Sequence, residues 1–414
     1  MNIVFIGPFG LQPKSTMSRR ALPLARALVS RGHVVTVLIP PWDDVGRAGQ
    51  CWEDGGVQVV NMPLPSSFPG LFQLRLTRNL VTRALALKPD VIHFFKPKAY
   101  AGLAHLALWL LRRAGAIDAR LVVDADDWEQ AWNDQLSYSG AHKRMFAWQE
   151  RWGLRHADAV TVASLALEEM VKAQRRAERS NVYYAPNGFP TGVLTATEVQ
   201  VVSRQLAGYG TAYDYEAHQA SPELRLRWRL GQAPVILLYT RFTEFRVERI
   251  VSLVALVARR LPEARWVIVG QGLHGEERLL ASLLARAGLE EYTCFTGWQP
   301  ADQLPAYFEL AAVAAFPCDD TLINRTKCSV KAIDLLAAGL PVVADAVGQN
   351  CEVIQPDISG VLVPAEDDSA FAEALLDLLQ EPAKRYNLGR AAARRIRENY
   401  AWSKISQVVE RAYG

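Results

Sequence analysis

The stretch RTKCSVKAIDLLAAGLPVVADAVG, Arg325 to Gly348, carries Lys331 and Asp334 three residues apart, just ahead of an apolar run. Residues three apart share a helix face, so this spacing sets an ammonium and a carboxylate at the rim of a hydrophobic element. Two chemistries fit. One is a surface ion pair contributing a few tenths of a kcal/mol. The other is half of a ligand site: amides at a helix start, here Ser329 and Val330, cradle phosphate, while the carboxylate of Asp334 accepts two sugar hydroxyls.

Further residues of the same kind follow apolar runs elsewhere. YTRFTEFRVER places Arg241 and Arg246 just past one such run. Paired guanidiniums suit a diphosphate, since Arg donates in parallel to phosphate oxygens; the alternative is a solvated loop balanced by Glu244 and Glu248. VIVGQG ends on Gly270 and Gly272, and FTGW brings Gly297 and Trp298. These glycines allow close backbone approach to a ligand, and Trp298 offers a ring for a nucleobase or for packing. A third glycine at dinucleotide-fingerprint spacing is missing, which speaks against hydride transfer. In the N-terminal half, HFFKPKAYAG and VVDADDWEQAWND supply His93, Lys96, Lys98, Asp124, Asp126 and Asp127, with Gly10, Lys14 and Ser15 on an earlier loop. Three aspartates in four residues suit a divalent cation, helix caps or sugar hydroxyls.

The elements that must position these residues alternate regularly. NIVFIG, HVVTVLIP, GVQVVNMP, PDVIHFF, ARLVVDAD and ADAVTVAS are short, nearly continuous apolar runs, as in parallel strands buried on both faces, and helical patterns separate them. The rhythm pauses from about Asn187 to Arg229, then resumes with PVILLYTRF, ARWVIVGQG, TCFTGW, VAAFPC, LPVVADAVG and SGVLVP. The pattern predicts an α/β protein of two doubly wound parallel sheets facing a cleft, with ligands at the strand C-termini. The expected domains are residues 1–188 and 189–392, with 393–414 as a closing helix. A chain of 414 residues has room for both cores.

Composition excludes several classes. The formal net charge is +3, with no long Lys/Arg block, so nucleic acid is not expected as a partner. Five cysteines without a CxxC pair argue against a disulfide framework or zinc. The chain opens directly on a strand, and its apolar helices fall short of a membrane span, so a cytoplasmic protein is expected. Two segments, PSSFPGLFQLRLTRNLVTRALALK and HKRMFAWQERWGLRH, mix basic and aromatic residues at helical spacing. They suit either amphipathic helices packed on a sheet or peripheral contact with an anionic membrane face.

In order and spacing these motifs resemble the nucleotide-sugar-dependent glycosyltransferases of the two-Rossmann GT-B fold, in particular the retaining group one family. RGHVVTVL, PDVIHFF, ADAVTVAS, PNG at Pro186–Gly188, TRFTEFR, VGQG, FTGW, AAGLPVVA and the closing YAWSKI carry the resemblance over nearly the whole chain. It implies a final helix crossing back to the first domain, with Arg241 and Arg246 at the family's Arg-x(4)-Lys signature. Asp334 stands where the second acid of Glu-x(7)-Glu binds the donor ribose, whereas Thr326 replaces the first acid. Transfer of a sugar from a nucleoside diphosphate to a glycan, lipid-linked or small-molecule acceptor, with retention and without a required metal, is then expected. Arg241, Arg246, His93 and Asp334 would be catalytic. The donor would meet Gly270, Gly272, Gly297, Trp298, Ser329, Val330 and Lys331, and the acceptor or sugar would meet Gly10, Lys14, Ser15, Lys96, Asp126 and Asp127. A nucleotide-sugar 2-epimerase of the same fold and a non-catalytic donor-binding subunit are the alternatives.

Overall fold

The computed structural model describes residues 1–11, 16–42, 44–66, 71–175, 181–190 and 222–414; Lys14 and Ser15 lie outside them. The chain forms two compact units. The first is built from the N-terminal half together with Thr326–Cys328 and Tyr400–Gly414, and the second takes in the chain up to Arg325 and then Ser329–Asn399.

In the first unit the six apolar runs become β1 (Asn2–Ile6), β2 (Val34–Ile39), β4 (Val57–Asn61), β5 (Val91–Phe95), β6 (Arg120–Ala125) and β7 (Ala159–Val162), and two strands that no run marked, β3 (Cys51–Asp54) and β8 (Val182–Tyr184), lie at the sheet's two edges. Their order is β3-β4-β2-β1-β5-β6-β7-β8. All pairings are parallel except β3 with β4. Gly55 and Gly56 join that hairpin at φ +59° and +80°, the left-handed pair that a two-residue turn of matching twist requires. The edge strand CWED is short, half-exposed and polar, so periodicity did not mark it.

Alternation along each strand sends side chains to two helical layers. Val4, Ile6, Ile92 and Phe94 pack under helices Leu71–Ala86, Ala99–Arg113 and Gly140–His156. Ile3, Phe5, Val35 and Val37 pack under Leu22–Val29 and the C-terminal helix Trp402–Tyr413. A π-helical turn, Met17–Ala21, precedes Leu22–Val29. Pro23 has no N–H with which to close an α turn onto Arg19, and Arg20 sits within that wider turn.

The second unit holds β9 (Val235–Tyr239), β10 (Arg265–Val269), β11 (Thr293–Gly297), β12 (Val313–Phe316), β13 (Val342–Asp345) and β14 (Val361–Val363). Their order is β11-β10-β9-β12-β13-β14, all parallel. Its core runs from Ile236, Trp266 and Val313 to Ile250, Leu253 and Phe371. Helix Pro382–Asn399 is continuous, so the return to the first unit begins at Tyr400 and not at 393.

That return is held by backbone and by an indole. Phe189 N–H donates to Tyr400 O at 2.6 Å, and Trp402 N–H donates to Phe189 O at 3.1 Å. A Cβ on Gly188 would come within 2.5 Å of the Trp402 ring, so only glycine fits beneath it. The helix then buries Ile405, Val409, Ala412 and Tyr413.

Tyr413 ends a buried polar chain. Its hydroxyl lies 2.9 Å from His93 Nδ1, and His93 Nε2 lies 3.2 Å from Thr161 Oγ1. Thr161 gives its one proton to Asp124 Oδ1 at 2.6 Å, so His93 must donate through Nε2 and accept through Nδ1. His93 is neutral in this arrangement. Burial, with the Arg20 charge beside it, lowers its pKa to about 4 against the attraction of Asp124.

Two outcomes follow for stability. Gly188→Ala should cost about 1–3 kcal/mol through overpacking against a rigid ring, and Trp402→Leu in the same chain should return part of it; thermal unfolding reads both, and an unchanged midpoint in Gly188→Ala would contradict the packing. The second concerns pH. Unfolded His93 takes a proton near 6.5 and the folded residue only near 4, so the unfolded state binds more protons between those values. Stability therefore falls as pH drops through that window, by roughly 3 kcal/mol from this residue. His105, buried with a pKa lowered to about 3, adds to the same slope. His93→Gln should flatten the decline in denaturant titrations between pH 6.5 and 4; equal slopes for both proteins would refute it.

Candidate active site

In an open parallel sheet, ligands bind beyond the strand C-termini where the strand order reverses. In the second unit that point lies between β9 and β12. The chain leaving β9 runs through Thr240 to Arg246, with Phe242 at φ +60°, a strained conformation for a bulky side chain. The Thr240 hydroxyl holds it by accepting the Phe242 amide at 2.7 Å. Glu244 anchors the loop from below and is only 2 % exposed. Its carboxylate accepts from the Thr240 hydroxyl, the Thr243 amide and Lys331 Nζ at 3.1, 3.2 and 2.6 Å. Its carbonyl accepts from Asp319 N and Asn324 Nδ2. Lys331 is thus tied to an acid 87 positions away, which spacing along its own helix did not indicate.

This scaffold presents two guanidiniums to water. Arg241 is exposed and its side chain has no hydrogen-bond or ion-pair partner among the described residues. The Arg246 side chain is 71 % exposed, with Asp319 at 3.5 Å and Glu366 at 3.8 Å, while its amide donates to Asp319 Oδ2 at 2.8 Å. Asp319 therefore fixes the backbone at Arg246. The cation that sequence reading missed, Arg249, is consumed by structure. It grips Asp345 through two bonds of 2.8 Å and Asp368 at 2.7 Å, and Asp345 also accepts the Cys318 amide at 2.6 Å.

The neighbouring loops are close-packed. Gly270 has φ +134°, and a Cβ there would sit 1.8 Å from Thr240 O. Gly272 donates its amide to Glu277 Oε2 at 3.0 Å, and a Cβ would strike Glu276. Both glycines are thus needed by packing within the unit. Gly297, at φ +71°, turns the chain so that Trp298 is 69 % exposed. Ser329 caps helix Val330–Ala337 by accepting the Ala332 amide at 3.4 Å, and its own amide donates to Gln349 Oε1 at 3.1 Å. Val330 and Asp334 are half-buried on that helix. Thr326 is 1 % exposed, and its carbonyl accepts from the Ser164 hydroxyl at 2.6 Å.

In the first unit the order reverses between β1 and β5. Gly10 is buried on the loop after β1. Lys96, past β5 and at φ +50°, points its ammonium into carboxylates. Its Nζ lies 2.8 Å from Asp126, 2.9 Å from Asp127 and 2.5 Å from Glu129. Asp126, Asp127 and Glu129 are close enough together to hold a metal ion, but the ammonium already stands among them, so the group does not fit a resident divalent cation. Lys98 is paired with Glu129 and Asn133. Burial raises Asp126 to about 6 despite the attraction of Lys96. Glu129, facing two lysines that outweigh its burial, is lowered to about 2.

His93 corrects an expectation. It is 0 % exposed and both ring nitrogens are engaged, so it holds Thr161 and Tyr413 and offers no nitrogen to a substrate. Asp124 is likewise internal. Arg20, which sequence reading passed over, donates to it twice at 2.7 Å, and also to Ala185 O and Asn187 Oδ1 at 2.8 and 3.2 Å. The residues at the strand ends thus separate into internal pairs and the exposed Arg241, Arg246 and Trp298.

Residues 233–381 match the family described as Glycosyl transferases group 1, and residues 15–188 match the family described as Glycosyl transferase 4-like domain. The chain is 24 % identical, over 92 % of its length and 90 % of the relative's, to the GDP-mannose-dependent alpha-(1-6)-phosphatidylinositol monomannoside mannosyltransferase of Mycobacterium tuberculosis. It is 26 % identical, over 100 % and 96 %, to the phosphatidyl-myo-inositol mannosyltransferase of Mycobacterium leprae. Among solved structures it superposes on Anabaena HepE in complex with UDP, at a TM-score of 0.68 and 18 % identity, covering 99 % of both chains. Two family matches that together span both units, on two parallel sheets with a returning C-terminal helix, have one consistent reading: the chain belongs to the nucleotide-sugar-dependent glycosyltransferases of the GT-B fold.

Proposed function

We propose that this glycosyltransferase moves a sugar, with retention of anomeric configuration, from a nucleoside diphosphate to a hydroxyl of a lipid-linked or glycan acceptor in cell-envelope assembly. The observation that carries the reading is the pair of exposed guanidiniums, Arg241 and Arg246, on a rigidly anchored loop at the strand-order switch of the second unit. Full-length relatives named for phosphatidylinositol substrates support a lipid acceptor.

The chemistry follows from charge. As the bond from the anomeric carbon to the diphosphate breaks, negative charge collects on the phosphate oxygens. Arg241 and Arg246 stand ready to receive it with charge-assisted hydrogen bonds, and preorganised donors of this kind are commonly the largest contribution to catalysis. The acceptor oxygen bonds to the anomeric carbon on the face the diphosphate leaves, and its proton passes to a diphosphate oxygen. Trp298 would stack on the base, Asp334 would accept ribose hydroxyls, and Val330 with Ser329 would border the phosphates. Lys331, bonded to Glu244, would act by stiffening the arginine loop. Lys96, Asp126 and Asp127 would meet the acceptor only where their mutual ion pairs leave oxygens over.

Nucleotide titration tests the site. Arg241→Ala and Asp334→Asn should each weaken nucleoside-diphosphate or nucleotide-sugar binding by roughly 10-fold to 150-fold, the value of a charged hydrogen bond. Thr326→Ala, whose side chain is buried away from solvent, should leave affinity nearly unchanged. Calorimetry with UDP, GDP and ADP identifies the base, and wild-type affinity in both charged-site variants would remove the assignment. Because the arginines take the leaving-group charge and Lys96 fills the carboxylate cluster, transfer should persist in EDTA. A loss of turnover restored by Mg²⁺ would contradict that.

A further inference from the structure

Two helices of the first unit begin on residues that cannot cap them. Helix Ala99–Arg113 follows Lys98, and helix Glu129–Gln135 follows Trp128. Neither side chain has an oxygen to accept an orphan amide of the first turn. Both starts lie just past strand ends, of β5 and β6, on the side of the sheet where ligands bind. The missing acceptors come from adjacent residues of one other helix, Gly140–His156. Gln149 Oε1 accepts the Ala99 amide at 2.8 Å, and its Nε2 donates to Ala99 O at 3.3 Å. Glu150 accepts the amides of Glu129 and Gln130 at 2.8 and 3.0 Å. The two side chains are 2 % and 1 % exposed.

The fit of the loops onto this helix is close. Lys96 and Ala99 both hold φ +50°, a strained conformation that persists where neighbours over-determine it. Pro97, between them, rests on Gly153, one turn beyond Gln149: a Cβ there would come within 2.9 Å of Pro97 Cβ. A Cβ on Gly102 would likewise lie 3.1 Å from Gln149 Cδ. Glu129, whose amide Glu150 holds, in turn pairs with Lys96 and Lys98. Gln149, Glu150 and Gly153 lie within one turn of their helix, and together they bed both loops.

We infer that Gln149 and Glu150 are positioning residues for transfer, setting from behind the loops that carry Lys96, Asp126 and Asp127, and that Glu150 does so as a carboxylate. An ionised carboxylate turns an acceptor oxygen to each amide. A protonated one carries a hydrogen on one oxygen, and that hydrogen faces an amide hydrogen, so one of the two bonds is lost. Burial and repulsion from Glu129 raise the Glu150 pKa to about 8, against the pull of the two amides and Lys98. The other ionisable groups nearby are accounted for. Lys96 is bound to Glu129, and His105 of the facing helix is neutral, its pKa lowered by burial to about 3. Arg175 of the following helix donates to Leu154 O and Ala157 O, at the far end of helix Gly140–His156. The effect on turnover rests on the acceptor role proposed for these loops; the effect on the loops themselves does not.

Hydrogen exchange resolved at Ala99, Glu129 and Gln130 tests the role without any substrate. In wild type, protection at Glu129 and Gln130, corrected for intrinsic exchange, should fall as pH drops through about 8. Glu150→Gln above that pH should lower it by roughly 10-fold to 150-fold, the value of a charged hydrogen bond, and remove its pH dependence. Ala99 should keep its protection in Glu150→Gln and lose it in Gln149→Leu. Circular dichroism should match wild type in both variants, which excludes global unfolding. With GDP-mannose and phosphatidylinositol as probe substrates, both variants should lower kcat several-fold at unchanged nucleoside-diphosphate affinity. The acid limb of the wild-type kcat profile should vanish in Glu150→Gln. Wild-type protection that ignores pH, or equal protection in Glu150→Gln, would overturn the carboxylate's role; unchanged kcat in both variants would overturn the link to transfer. A wild type that does not turn over this pair would count against the substrates proposed above, and the exchange ratios then decide the role of both residues.

Discussion

A guanidinium removed from water must place its donors on acceptors, and meeting that demand for Arg20 ties together most of the first unit. Arg20 sits in the π turn ahead of one helix, Asp124 at the end of β6, and Ala185 and Asn187 beyond β8. One cation thus fixes three segments that meet only through the sheet order. Burial pushes Asp124 up, but the adjacent Arg20 more than offsets this and leaves it below the ordinary carboxylate range. Through Thr161 and His93 the same carboxylate reaches Tyr413, so the C-terminal helix reports on the pair. Removing one partner of such a pair strands a buried charge, which is far more costly than never having built it.

The second unit repeats the device. Arg249 closes on Asp345 and Asp368, and Asp345 takes the Cys318 amide, joining the ends of β12 and β13 to the helix after β9. Cations committed to this work cannot serve a ligand. Those left in water, Arg241 and Arg246, follow a loop whose shape Glu244, Thr240, Lys331 and Asp319 dictate. The division is physically sensible: an anion-binding arginine must be accessible, yet its backbone must not move as charge develops. The buried acids provide that rigidity, and Asp319 also stands 3.5 Å from the Arg246 guanidinium.

Lys96 shows the same economy with the signs reversed. Three carboxylates drawn together would repel one another or bind a divalent ion, and an ammonium placed at their centre removes both outcomes. Asp126 retains a raised pKa because burial still disfavours its charge. Glu150 nearby, pushed up to about 8 by burial and by repulsion from Glu129, belongs to the same crowded region. Glu150 is turned inward on helix Gly140–His156, whereas Arg144, Arg151 and Arg155 of the same helix are exposed.

Local chemistry made much of the fold legible in the sequence. Continuous apolar runs marked twelve parallel strands because a strand buried on both faces has no polar side, and the sheets confirm each of them. The exposure of Arg241, Arg246 and Trp298 followed from their position just past such runs. The edge strand Cys51–Asp54 escaped because it alternates too briefly and stays half in water. His93 was misread for the opposite reason: a polar residue inside an apolar strand suggests function, and only the packed structure brings Tyr413 and Thr161 to its two nitrogens. Arg20 with Asp124, Arg249 with Asp345 and Lys331 with Glu244 are separated in sequence by 104, 96 and 87 positions. Sequence determines which side chains carry charge and which segments lie in the sheets. Which charges are buried against each other, and which remain exposed to water, depends on strand order, because ion pairing is set by distance in space and no spacing along the chain encodes it.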